Sequence, residues 1–123
     1  MQNLCQGAIF RSDRCSIEFQ MIYSVRAKLI EERATKFLRN LTDGTIAQQR
    51  PDGDEIVASM ERACISDDGY VYWMETCFCS TPLKHERETQ LDQYFSEIET
   101  TPTDTQEIFG GTSLMAYLAA KAG

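Results

Sequence analysis

The chain has 123 residues, 42% hydrophobic and 25% charged, and its nineteen Asp and Glu outweigh twelve Lys and Arg for a net charge of −7. That length suits one domain, which buries roughly two-thirds of the surface its extended chain would expose. An acidic balance without a basic footprint argues against nucleic acid and against anionic membrane surfaces as partners, and no apolar run is long enough to span a bilayer.

Residues 1–20 show no sustained period and read as a loosely ordered leader, with Met21 standing before the first clear element like an alternative start. The leader lacks the apolar core of a secretion signal. Cysteines stand at positions 5, 15, 64, 77 and 79, an odd number at irregular spacing. A secreted disulfide framework would favour an even set, so the pattern predicts reduced thiols in a cytoplasmic protein.

From Met21 the stretch MIYSVRAKL alternates, with Tyr23, Val25, Ala27 and Leu29 on one face and Ile22, Ser24, Arg26 and Lys28 on the other. Period two marks a strand. Ile30, Ala34, Phe37, Leu38 and Leu41 then fall on one helical stripe, and Gly44 follows as a stop. Pro51-Asp52-Gly53 is a turn signal.

Residues 55–65 fit either period. Asp68-Gly69 is a favoured two-residue hairpin connection, and the aromatic, β-branched stretch 70–78 after it is a strand. These neighbours predict that 55–65 is the partner strand. The register that follows sets Cys64 opposite Trp73, Arg62 opposite Glu75, and Met60 opposite Cys77. Thr81-Pro82 opens a second helix, capped by Ser80 or Thr81, with Leu83, Arg87, Leu91, Tyr94, Phe95 and Ile98 on its stripe. Residues 98–103 supply a last strand. After the Gly110-Gly111 joint, Thr112 or Ser113 caps a short helix carrying Leu114, Met115, Tyr117 and Leu118.

The predicted fold class is α+β: a ferredoxin-like βαββαβ unit with an antiparallel four-stranded sheet, plus a C-terminal helix. Residues 21–123 form the single domain, and about 104–123 form its extension. On element order, residues 21–103 resemble the dimeric α/β-barrel superfamily of small, often uncharacterised bacterial proteins. The resemblance rests on no residue motif. It implies a homodimer paired sheet to sheet, in a group whose members are often monooxygenase-like or isomerase-like. The strand 70–79 is apolar on both faces, and helices cover one face only. Trp73 and its neighbours are therefore expected to seek a partner, most simply a second copy.

Chemistry-bearing residues are few. Arg62, Trp73 and Glu75 share a sheet face on the predicted register, with Tyr72 as a further pocket wall. As a site they would hold a polar small molecule; as structure they would be a cross-strand ion pair at an interface. His85, the chain's one histidine, lies in the polar run KHERE and reads as a solvated surface residue. Cys77-x-Cys79 with His85 is too closely spaced for the usual zinc pairs, so the cysteines read as small buried thiols and no metal is expected. No phosphate loop or dinucleotide fingerprint occurs. The sequence thus predicts a cytoplasmic, cofactor-free homodimer that binds a small organic molecule. The alternatives are a cofactor-free enzyme of monooxygenase-like or isomerase-like kind, and a protein-interaction module.

Overall fold

The computed structural model describes residues 21–77, 81–103 and 109–122. The expectations placed on the leader 1–20, on Phe78, Cys79 and Ser80, and on residues 104–108 lie outside the described residues.

The first strand, β1 (Met21–Leu29), follows its alternation: Tyr23, Val25, Ala27 and Leu29 are buried, and Ile22, Ser24, Arg26 and Lys28 are half-buried. It pairs on one side with β3 (Tyr70–Cys77) and on the other with β4 (Phe95–Thr103). Beyond β3 come β2 (Cys64–Ile65) and then β5 (Thr112–Ser113). The result is an antiparallel five-stranded sheet of order β4-β1-β3-β2-β5. The sequence predicts four strands; the fifth comes from the C-terminal extension. Gly111 makes it possible, because a Cβ there would meet the Ile65 carbonyl oxygen at 2.8 Å and its φ is +108°.

Helices close one face of this sheet. A 3-10 turn (Glu31–Arg33) leads into α1 (Ala34–Thr42), whose Ala34, Phe37 and Leu41 are buried. Helix α2 (Gly53–Arg62) buries Ile56 and Met60. A third helical stretch runs from α3 (Lys84–Glu86) through a π-helical segment (Arg87–Leu91) into α4 (Asp92–Tyr94). Helix α5 (Leu114–Ala122) completes the layer, with the Ser113 hydroxyl accepting the Ala116 N–H at 3.3 Å as an N-cap. Phe37 holds the centre of the core. Its ring stacks on Tyr94 at 4.1 Å between centroids and meets Phe95 edge-on at 5.5 Å, while Trp73 lies 5.2 Å from Phe95.

Three expectations change. Residues 55–65 are mostly helix, so the predicted register is replaced by Cys64 opposite Tyr72 and Ile65 opposite Val71. The loop chemistry explains the register. Gly69 N–H bonds to Ser66 O at 3.0 Å and Ser66 N–H to Tyr70 O at 2.9 Å, with Gly69 at φ +86°. This is a three-residue connection with a left-handed glycine, which shifts the ladder from the two-residue register. Only Cys64 and Ile65 remain as strand, and the apolar stripe through Ile56 and Met60 is free to coil.

The second change concerns Trp73. It is fully buried beneath the helices together with Val71 and Glu75, so it is not the residue that an open face would expose. The third concerns the start of the second helix. Pro82 and Leu83 form a turn, Leu83 takes φ +56°, and the helix begins at Lys84.

Candidate functional site at Glu75

Residues two apart on a strand share a face, so β3 places both Trp73 and Glu75 under the helix layer. The Trp73 indole Nε1–H donates to Glu75 Oε1 at 2.6 Å. Glu75 is 1% exposed, yet its other oxygen, Oε2, has no hydrogen-bond partner among the described residues. A buried polar atom left unpaired costs about 1–3 kcal/mol, so it calls for a reason.

Helix α2 brings two charged side chains to the same place. Glu55 and Arg62 lie seven positions apart, two turns along one helix face. Glu55 Oε2 accepts the Thr76 backbone N–H at 3.1 Å and the Ser59 hydroxyl at 3.4 Å. Arg62 Nη2 donates to Met74 O at 3.1 Å and stands 3.7 Å from Glu55 Oε2. These contacts lace α2 to β3. Between them a cleft of about 350 Å³ opens at the rim of the sheet, lined by Ile22, Glu55, Arg62, Met74, Glu75 and Thr76.

Removal from water pushes the Glu75 carboxyl up to about 8. The carboxylates of Glu55 and Asp52 push the same way, while the Trp73 N–H and the Arg62 guanidinium pull back without reversing the shift. Glu75 is therefore mainly a neutral acid at pH 7. Because Oε1 accepts from Trp73, the proton belongs on Oε2. The site thus holds an O–H donor with no acceptor among the described residues.

A second polar cluster adjoins it. His85 Nδ1 lies 2.6 Å from Asp52 Oδ2. Gln49 Nε2 donates to Asp52 Oδ1 at 2.7 Å and to Thr89 Oγ1 at 2.8 Å, and Gln90 Nε2 donates to Gln49 Oε1 at 2.8 Å. Thr89 and Gln90 belong to the π-helical segment, whose wider turn is common where a helix serves a site. Gly53 lets the loop approach, since a Cβ there would stand 2.1 Å from Ile46 O.

Of the residues singled out from sequence, the structure brings Arg62 and Glu75 to one cleft, while Trp73 stays fully buried behind it and meets Glu75 through its indole N–H. It does so by laying a helix end over a strand, not by pairing two strands. Tyr72 stands apart on the opposite sheet face, where its ring stacks at 5.8 Å on Phe109. His85 is partly exposed, as its polar run implies, but it is paired with a carboxylate. Glu55 and Asp52 were not legible: Glu55 reads as one end of a strand, and Asp52 as a turn residue. Among the described residues no cluster of His, Cys, Asp and Glu could hold a metal ion, and no helix is long and apolar enough to cross a membrane. The chain matches no family model, no curated protein and no solved structure.

Proposed function

We propose that this chain is a cytoplasmic homodimer of ferredoxin-like plan that binds a small organic molecule in the cleft beside Glu75. The observation that carries the binding site is the buried Glu75 Oε2, unpartnered at a cleft that also presents a guanidinium. The ferredoxin-like plan draws support from the run β4-β1-β3-β2, with α1 and α2 between β1 and β2, and α3 and α4 between β3 and β4. Pairing draws support from the helix-free face, where the apolar side chains of Ile22 and Tyr72 stay only half-buried in the lone chain.

Glu75 also favours a second reading, a cofactor-free isomerase-like enzyme. A carboxylic acid that stays neutral at pH 7 can donate to an oxygen on which negative charge develops. The test of the binding reading is a fragment screen observed by NMR on the ¹⁵N-labelled chain. Binders are expected to shift the Trp73 indole and Thr76 amide signals. A screen in which no fragment moves either signal removes the ligand site. Sedimentation at a single monomer mass across the concentration range removes the dimer.

A further inference from the structure

We infer that the ligand of this cleft is a small uncharged carbonyl compound whose oxygen accepts the hydrogen bond offered by Glu75 Oε2. The inference rests on the cleft being a ligand site and goes on to name what fills it. Charge decides the first part. The Glu55 carboxylate and the Arg62 guanidinium stand 3.7 Å apart and largely cancel. An anion would meet Glu55, and a cation would meet Arg62. Neither class gains a net Coulomb attraction here.

Hydrogen bonding decides the second part. The Trp73 N–H already occupies Glu75 Oε1, so the carboxyl offers one donor and needs one acceptor. A ketone, ester or amide oxygen supplies it. Ile22 and Met74 give the cleft apolar walls, and a volume of about 350 Å³ lies at the small end of ligand sites. The groups around Glu75 are Trp73 on its own strand, Tyr23 opposite on β1, Glu55 and Arg62 on α2, and Asp52 just ahead of that helix, itself paired with His85 of α3. Glu55 and Asp52 both favour the protonated acid.

The test uses three probes built on one ring: cyclohexanone, cyclohexylamine and cyclohexanecarboxylate. Each is titrated at near-neutral pH into the ¹⁵N-labelled full chain, whose single tryptophan gives one indole signal. The ketone is expected to shift that signal and to bind about tenfold tighter than the amine or the carboxylate, the worth of one well-placed hydrogen bond. Its binding is expected to weaken as pH rises through about 8. Glu75→Gln keeps a donor on that atom, so it is expected to bind the ketone without the pH step, whereas Glu75→Leu loses the binding. Tighter binding of the amine or the carboxylate overturns the inference and leaves the ligand site standing. Ketone affinity that is unchanged through pH 8 overturns the role of Oε2. If no probe moves the indole signal, the ligand site and the inference fall together.

Discussion

The Trp73 indole N–H and Glu75 Oε1 meet at 2.6 Å on one face of β3, with both side chains shut away from water. That bond fixes which carboxyl oxygen is the acceptor and which carries the proton. It also places a titratable group in the middle of a packed layer. Stability, ionisation and ligand recognition are therefore linked through one side chain.

The first consequence is a pH dependence of stability. In the unfolded chain Glu75 ionises with an ordinary midpoint of 4.5; folded, it holds its proton to about 8. The folded state thus binds more protons between those values, and its stability falls as pH rises from the first to the second. The slope is about 1.4 kcal/mol per pH unit, and the full span is on the order of 5 kcal/mol. Urea denaturation across this window should show the decline in the wild type. Glu75→Gln, which cannot ionise, should lose most of it. A wild-type curve that is flat over the window would show that Glu75 is not held as a neutral acid.

Trp73→Phe should cost about 2–4 kcal/mol, because it leaves a void and strips Oε1 of its donor. It should also move the Glu75 midpoint higher, since the indole N–H is one of the groups holding it down. Carboxyl ¹³C shifts read the midpoint directly. In a double-mutant cycle with Glu75→Leu the two costs should fall short of additivity, as expected for residues joined by a hydrogen bond. Strict additivity would argue that the bond contributes nothing.

Much of this architecture is legible in the sequence where periodicity and burial agree. β1 alternates over nine residues, and its buried set is Tyr23, Val25, Ala27 and Leu29. The stripe of Phe37 and Leu41 and the cap at Ser113 are equally plain. Residues 55–65 mislead because their apolar positions fit both periods, and the hairpin beside them is real but takes only Cys64 and Ile65 from their side, one register step from the two-residue turn. The sequence groups Arg62 with Glu75 as a cross-strand pair, and the structure joins them by another route. They meet because α2 lies over β3, which no local pattern encodes. The contact of Asp52 with His85 joins residues 33 positions apart, and it depends on how two helices dock.

Gly53 offers a sharp local test. It opens α2 and packs so closely that a Cβ would lie 2.1 Å from Ile46 O and 2.8 Å from Ala47 O. Both obstacles are backbone, so no side chain can swing aside. Although alanine is the better helix former, Gly53→Ala should therefore destabilise the fold, by roughly 1–3 kcal/mol as an overpacking change. The loss should appear in the denaturation midpoint. An unchanged or raised midpoint would mean that the 44–53 connection yields easily and does not hold Asp52 against His85.

The C-terminal helix should prove integral to the fold, not an appendage. Leu114 and Leu118 of α5 are fully buried in the same core as Phe37, Ile56 and Trp73. The Leu114 N–H bonds to Ala63 O at 2.9 Å, just where α2 ends and β2 begins. The helix also reaches back to the start of the helix layer, where the Tyr117 hydroxyl donates to Glu31 and Lys121 Nζ pairs with Glu31 Oε1 at 3.0 Å. These last contacts are exposed and should be worth little. Leu118→Ala, by contrast, empties a closed site and should cost about 2–5 kcal/mol. The comparison of Leu118→Ala with Lys121→Ala by urea denaturation separates the two contributions. If both variants lose a similar small amount, α5 is only loosely attached, and the β5 pairing onto β2 would have to hold that edge of the sheet without it.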